Sequence, residues 1–168
     1  MNQARRTQWM IFVFALAVGV LADQYTKLLV VEGIKLYDRI PVLDGFFDLV
    51  HYRNTGIAFG LLRGLDSSVT IPLFALAALL ALGFLVHYLH NDRSERWWVA
   101  LALGLIGSGA IGNITDRIRL GSVVDFLLVY VGRHHWPAFN VADAAICVGA
   151  GLLILDSLRP PKSTATQS

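Results

Sequence analysis

Two aspartates in the C-terminal third of the chain could together carry out acid and base chemistry. Asp143 lies early in an apolar run, residues 139–158, and Asp125 lies a short distance upstream between apolar residues. A carboxylate near hydrocarbon is costly to keep charged, so an acid in such a position indicates a functional site. If the two carboxyl groups came together, one would keep its proton while the other acted as a base.

Such a pair would suit the hydrolysis of a peptide bond by the mechanism of aspartic proteases. The ionised acid would take a proton from water, the protonated acid would polarise the scissile carbonyl, and a proton would pass to the departing amine. This chemistry requires no metal and no cofactor. The structural alternative is that Asp125 is an ordinary loop acid and Asp143 a helix-start acid favoured by the helix dipole.

Other hydrolytic designs fit the sequence less well. A zinc peptidase needs clustered ligands, and the five histidines of the chain form no such pattern. Ser108 lies between two glycines, but no histidine is expected at its depth on another segment. Cys147 lies in the last apolar run without a histidine on that segment, and we predict a small buried apolar side chain there.

The composition predicts a membrane protein that positions these acids with helices. The chain has 168 residues, of which 55% are hydrophobic and 15% charged. Four runs are long enough to cross a bilayer: 9–31, 69–89, 97–114 and 139–158. The basic residues are scattered, which argues against nucleic-acid binding. We therefore predict an all-α membrane protein in which residues 1–168 form one domain, a four-transmembrane-helix bundle.

The first apolar run has a second interpretation. Arg5 and Arg6, an apolar stretch and small residues near Ala22 also resemble a cleavable signal peptide. The run continues to residue 31, and three further spans follow, which favours a retained anchor.

The distribution of basic residues predicts the orientation of the bundle. Basic residues are dense in the N-terminal tail, in the short loop between spans two and three, and in the tail 159–168. These segments should be cytoplasmic, and the loops 32–68 and 115–138 extracytoplasmic. The polar residues near the spans then gather at the outer face. A site that takes substrate from the outer leaflet would need this placement, whereas an ion pathway would need polar groups throughout the membrane depth.

Two further patterns concern the outer loops and the packing of the helices. Residues 34–40 and 46–52 are rich in β-branched and aromatic side chains and flank the hairpin signal Asp44-Gly45. We predict a small extracytoplasmic antiparallel β-sheet there, which residues 123–131 would extend, bringing Asp125 over the mouth of span four. Small residues recur every fourth position along span three from residue 100 to residue 112, and they would let another helix approach closely.

Five groups of residues then form a recognisable set in chain order. They are 23–27 (DQYTK), 54–60 (NTGIAFG), 109–113 (GAIGN) with Asp116 and Arg117, 124–126 (VDF), and 139–144 (FNVADA). Together they resemble the motifs of the lipoprotein signal peptidases, or signal peptidase II, of bacterial inner membranes. The resemblance covers almost the whole chain except its two tails.

The resemblance implies an intramembrane aspartyl endopeptidase without metal or cofactor. It would remove the signal peptide from diacylglyceryl-modified prolipoproteins by cutting on the N-terminal side of the lipid-modified cysteine. Its partners would be these precursors and membrane lipid, and its site would face outward from the bacterial inner membrane, with both termini cytoplasmic. Asp125 and Asp143 would be the catalytic dyad. The residues that shape and support the site would be Asp23, Lys27, Asn54, Gly56, Ala58, Asn113, Asp116, Arg117 and Asn140.

Individual roles and other functions stay open at this level. Asn54 and Asn140 could orient an acid or bind substrate backbone. Arg117 could grip a carboxylate or a lipid phosphate, or it could extend to the headgroups as an interfacial arginine. Intramembrane acids would also suit a small transporter or proton channel, and a non-catalytic scaffold would need neither acid. Nothing in the sequence indicates the oligomeric state.

Overall fold

The computed structural model of the chain describes residues 3–56, 67–92 and 96–158. Four helices and four strands make up this part of the chain: α1 (Gln3–Gly33), β1 (Arg39–Leu43), β2 (Phe47–Asn54), α2 (Ser67–Asn91), α3 (Trp97–Leu120), β3 (Val123–Val131), β4 (His134–His135) and α4 (Val141–Ser157). The protein is therefore mostly helical, with a small antiparallel sheet. The predicted site residue Ala58 and the predicted cytoplasmic tail, 159–168, lie outside the described residues.

Three of the helices described, α1, α2 and α3, are long and apolar enough to cross a membrane. Helix α4 has 17 residues, about 25 Å at the helical rise, against a hydrocarbon core of about 30 Å. Helix α3 continues past residue 114, the predicted end of its span. Asp116 and Arg117 consequently lie on a helix, where their side chains have a fixed direction.

Small residues on α3 allow two helices to pack closely against it. A methyl group added at Gly104 would lie 2.7 Å from the carbonyl oxygen of Phe12 on α1. On another face of α3, a methyl group at Gly109 would collide with the backbone of Ala142 on α4. The small-residue stripe predicted on α3 is thus confirmed as a packing surface. The order of these contacts shows that α3 runs parallel to α1 and antiparallel to α4.

The sheet has the strand order β1-β2-β3-β4, and all its pairs are antiparallel. The predicted hairpin at Asp44-Gly45 is confirmed: Gly45 has a φ of 79°, and the Phe46 N–H donates to the Leu43 carbonyl at 3.0 Å. Residues 123–131 form β3, as predicted. The strand predicted at 34–40 was wrong for residues 34–38, since β1 covers Arg39–Leu43.

The end of helix α1 explains that error. The Ile34 N–H donates to the Val30 carbonyl at 2.9 Å, and the Ile34 side chain is buried with Val30, Val124 and Phe126. The chain then turns at Tyr37, whose φ is 70°. Ile34, the β-branched residue predicted to begin a strand, therefore packs the sheet against α1 instead.

The sheet defines one end of the bundle. The cluster of Val30, Ile34, Val124 and Phe126 places it beside the C-terminal ends of α1 and α3 and the start of α4, and we call this the sheet end. A second core cluster, which includes Phe12, Leu89 and Val99, lies toward the far end. The prediction of a buried Cys147 was wrong, because its side chain is exposed on the outer surface of α4.

Candidate active site

Backbone pairing brings the segments of Asp125 and Asp143 together. Helix α3 ends in a left-handed turn at Gly121, with a φ of 71°, and β3 begins two residues later. The Phe139 N–H donates to the Leu127 carbonyl at 3.0 Å, and the Leu127 N–H donates back at 2.8 Å. This bridge holds the start of α4 against β3. Asp125, near the start of β3, therefore lies beside the first turn of α4.

Asn140 is hydrogen-bonded to both aspartates. Its side-chain Nδ2 donates to Asp125 Oδ1 at 2.8 Å. Its backbone N–H donates to Asp143 Oδ2 at 3.3 Å, and its Oδ1 accepts the Asp143 N–H at 2.9 Å. The last two bonds form a capping box, which explains why α4 begins here. One residue thus sets the positions of both carboxyl groups.

Two other asparagines bind the remaining carboxylate oxygens. Asn54 Nδ2, at the end of β2, donates to Asp125 Oδ2 at 3.0 Å. Asn113 Nδ2, on α3, donates to Asp143 Oδ1 at 2.8 Å. With the bonds of Asn140, each of the four carboxylate oxygens accepts a hydrogen bond from an asparagine. Within the described part of the chain, neither acid forms a salt bridge with a basic side chain.

Asp125 holds its proton more tightly than an exposed aspartate does. Its side chain is only 3% exposed, on a strand rather than in a loop. Burial raises the pKa of Asp125 to about 6, the charge of Asp143 acts in the same direction, and the amides of Asn54 and Asn140 oppose the change. The alternative that the two acids are only a loop acid and a helix-start acid fits Asp143, which lies in the first turn of α4, but it does not fit Asp125.

A buried lysine lies behind the two aspartates. Lys27 Nζ is 2.8 Å from Asp23 Oδ2 and 3.1 Å from Asp116 Oδ2, and these three side chains are almost fully buried. Asp23 and Lys27, spaced i, i+4 on α1, therefore form a buried ion pair. Lys27 Nζ also donates to Asn113 Oδ1 at 3.2 Å. The amide of Asn113 thus connects the ammonium group to Asp143.

Asp23 and Asp116 also bind the backbone of the two segments that carry the aspartate pair. The Ala142 N–H, on α4, donates to Asp23 Oδ1 at 2.9 Å. The Val124 N–H, on β3, donates to Asp116 Oδ2 at 3.0 Å. Gln24 is a site residue that was not predicted; its Nε2 donates to Asp23 Oδ2 at 3.1 Å and to Asp116 Oδ1 at 3.0 Å. Its place inside the first motif was the only available signal.

Arg117 binds backbone rather than a carboxylate. Its Nη1 donates to the Asn113 carbonyl at 3.3 Å and its Nη2 to the Gly56 carbonyl at 3.0 Å. The guanidinium carbon lies 4.1 Å from the centre of the Phe74 ring on α2. Phe74 is a second neighbour of the site that was not predicted, because nothing distinguishes it within the apolar run of α2.

Two other hydrolytic designs were possible from the sequence, one based on Ser108 and one on a bound zinc ion. Ser108 is buried, and its Oγ donates to the Leu105 carbonyl at 2.8 Å. Across 3–56, 67–92 and 96–158, no group of three or more histidine, cysteine, aspartate or glutamate side chains could hold a metal ion.

The predicted site residues that the structure describes all belong to one network. They are Asp23, Lys27, Asn54, Gly56, Asn113, Asp116, Arg117, Asp125, Asn140 and Asp143. The network joins α1, α3, α4 and the sheet.

Comparison with known proteins agrees with the resemblance seen in the motifs. A family model described as signal peptidase (SPase) II matches residues 14–159. The lipoprotein signal peptidase of Geobacter sulfurreducens is 47% identical over 152 residues, which cover 90% of this chain and 94% of that protein. The lipoprotein signal peptidase of Syntrophus aciditrophicus is 41% identical over 152 residues, with the same coverage of 90% and 94%.

Two solved structures have a similar fold, and both are described as bacterial membrane enzymes. One has a TM-score of 0.81 at 27% identity and covers 94% of this chain and 93% of that chain. The other has a TM-score of 0.78 at 29% identity, with coverage of 88% and 92%.

Proposed function

The chain belongs to the signal peptidase II family, and we propose that Asp125 and Asp143 are its catalytic pair. The protein is a bacterial membrane protease of the aspartic type that removes signal peptides from lipoprotein precursors. The observation that supports the pair is the binding of all four carboxylate oxygens by three asparagines, one of which is shared by both acids.

The proposed roles of the two acids differ. Asp125 donates a proton, because burial raises its pKa to about 6. Asp143 is the ionised base. Its carboxylate accepts two hydrogen bonds in the first turn of α4, where the helix dipole favours negative charge. Lys27 supports that charge through Asn113, because an ammonium group on the amide oxygen makes the amide N–H a stronger donor.

The reaction then follows from these roles. Asp143 takes a proton from a water molecule as the water oxygen attacks the scissile carbonyl carbon, while Asp125 gives its proton to the carbonyl oxygen. In the resulting diol the carbon–nitrogen bond breaks, the amine nitrogen takes the proton from Asp143, and one hydroxyl returns a proton to Asp125. Both acids regain their starting states, and water is the only co-reactant.

We further propose four spans, with both termini in the cytoplasm and the sheet end outside. Helix α4 is the fourth span, and its packing along α3 through Gly109 and Gly149 supports this assignment. Arg5 and Arg6 at the start of α1 favour the cytoplasmic side for the far end. A site at the outer interface suits a precursor whose diacylglyceryl-modified cysteine stays in the outer leaflet while its signal peptide lies in the membrane.

Processing of a lipid-modified precursor by the purified protein tests this proposal. Asp125→Asn and Asp143→Asn should each lower the cleavage rate by at least about a thousandfold, because neither amide can exchange the required proton. Asp156→Asn, at the far end of the bundle, is the matched control and should retain activity. Thermal unfolding in detergent checks that each variant is folded.

Three outcomes would overturn parts of the proposal. Cleavage retained by a folded Asp125→Asn or Asp143→Asn variant would exclude the catalytic pair. Equal cleavage of precursors with and without the diacylglyceryl group would exclude recognition of the lipid. Ion or solute flux through the protein in liposomes, without cleavage, would favour a transporter or proton channel.

A further inference from the structure

Helix α2 contributes one aromatic ring to the neighbourhood of the site. Phe74 stacks on the guanidinium group of Arg117, with 4.1 Å between the guanidinium carbon and the ring centre. Two of the Arg117 nitrogens bind backbone carbonyls, and its Nε is buried without a hydrogen-bond partner among the described residues. The Phe74 ring therefore contacts a guanidinium group that leaves one of its nitrogens without a hydrogen-bond partner among the described residues.

A continuous series of contacts leads from this ring to Asp125. Arg117 donates to the Gly56 carbonyl at 3.0 Å, and the Gly56 N–H donates to Asn54 Oδ1 at 3.1 Å. The other side-chain atom of that amide, Asn54 Nδ2, donates to Asp125 Oδ2 at 3.0 Å. Binding of Gly56 by Arg117 thus fixes the amide plane of Asn54, and that plane sets the direction of the bond to Asp125.

We infer that Phe74 is a positioning residue for the reaction, acting through Arg117, Gly56 and Asn54 on the carboxyl group of Asp125. This inference rests on the proposed function. The aromatic ring is the relevant property, because only an aromatic face attracts a cation, whereas an aliphatic side chain of similar size would only fill space. Without the ring, the guanidinium group loses the neighbour that orients it over the Gly56 carbonyl.

Substitutions at Phe74 separate this role from simple packing. Phe74→Leu should lower kcat by about threefold to tenfold, the range expected for a cation–π pair whose cation is partly exposed, with KM changed less than twofold. Phe74→Tyr keeps an aromatic face and should retain most of the activity. Phe84→Leu is the matched control, because it makes the same change on α2 at a side chain that is 63% exposed. It should leave kcat unchanged.

The pH profile gives a readout that packing would not move. Asp125 faces Lys27 from α1, Arg117 from α3 and Asp143 from α4. The hydrogen bond from Asn54 lowers the pKa of Asp125. Weakening that bond should therefore shift the basic limb of the kcat profile to higher pH in Phe74→Leu and not in Phe84→Leu.

A double-mutant cycle with Arg117→Lys tests the route of the effect. If Phe74 acts through the guanidinium group, adding Phe74→Leu to Arg117→Lys should lower kcat less than twofold further. Fully additive losses, equal losses in the leucine and tyrosine variants, or an unshifted pH profile would each overturn the inference. Activity retained by Asp125→Asn would instead overturn the proposed function, so the two failures can be told apart.

Discussion

The two ends of the helix bundle both contain buried or half-buried acids, but they hold them in different ways. At the far end, Asp156 Oδ1 accepts hydrogen bonds from Arg96 Nη1 and Trp98 Nε1, each at 2.7 Å. At the sheet end, the buried ammonium group of Lys27 is bound by two carboxylates, while Asp125 and Asp143 are held by neutral amides.

This difference shows how a fold can fix the position of an acid without fixing its charge. A cation in direct contact strongly favours the carboxylate and would keep it ionised across the working pH range. A neutral amide donates a weaker bond and leaves proton exchange possible. Asp23 and Asp116 therefore order the site through the ammonium group of Lys27, whereas the asparagine bonds of Asp125 and Asp143 suit the proton exchange proposed for them.

The largest effect on stability is expected from removal of the ammonium group at the sheet end. Lys27→Met would leave Asp23 and Asp116 buried without their cation, so we expect a loss of about 3–5 kcal/mol in the free energy of unfolding. Unfolding in detergent, followed by circular dichroism, measures the change. Arg96→Met is the comparison at the far end, where both partners of the ion pair are partly exposed, and it should cost about 1 kcal/mol. Equal losses in the two variants would contradict the distinction between the ends.

Asp125 should give the protein a pH-dependent stability. Its pKa is raised to about 6 in the folded protein, against an ordinary value of about 4. Between these values the folded chain binds the proton more tightly than the unfolded chain. The free energy of unfolding should therefore fall by about 3 kcal/mol as the pH rises from about 4 to about 6, and it should then level off.

Comparison with Asp125→Asn isolates that contribution. The variant lacks the titrating group, so its unfolding free energy should depend less steeply on pH over the same interval, as measured by denaturant titration at several pH values. Identical slopes for the two proteins would show that burial does not raise the pKa of Asp125.

Sequence patterns predicted the parts of this arrangement that depend on local chemistry. Apolar runs located the helices, and Asp44-Gly45 located the hairpin, because hydrophobic burial and turn geometry depend on neighbouring residues. Motif positions found the acids and most of their partners. The bonds of Asn140 to both aspartates could not be predicted from spacing alone, because one of them depends on the pairing of β3 with residue 139.

Two wrong predictions and one missed residue share a physical cause, because each depends on packing between elements that the local sequence does not reveal. Ile34 looked like a strand residue, but it is buried between α1 and the sheet, a tertiary contact that overrides local β propensity. Cys147 was predicted to be buried because most of its run is apolar, and such a run does not reveal which face turns outward. Phe74 went unnoticed for a similar reason, since its contact with Arg117 depends on how α2 packs.

Asn140 tests whether one side chain positions both acids. Asn140→Ala would remove the donor to Asp125 Oδ1 and the acceptor for the Asp143 N–H. We expect kcat to fall about a hundredfold, since misplacement of a reacting group by about 1 Å has an effect of that size. The loss of the helix cap should also lower the free energy of unfolding by about 1 kcal/mol. A stability loss with unchanged kcat would limit Asn140 to capping α4.

The smallest effect is expected from a neutral substitution at the far end. Asp156→Asn keeps an oxygen that can accept from Trp98 Nε1 and removes only the charge paired with Arg96, whose side chain is 21% exposed. Because water already solvates part of this pair, we expect the free energy of unfolding to fall by less than about 1 kcal/mol. Precursor cleavage should be unchanged. A substantial loss of cleavage with intact folding would show that the far end is coupled to the aspartate pair, and the functional contrast between the two ends would then fail.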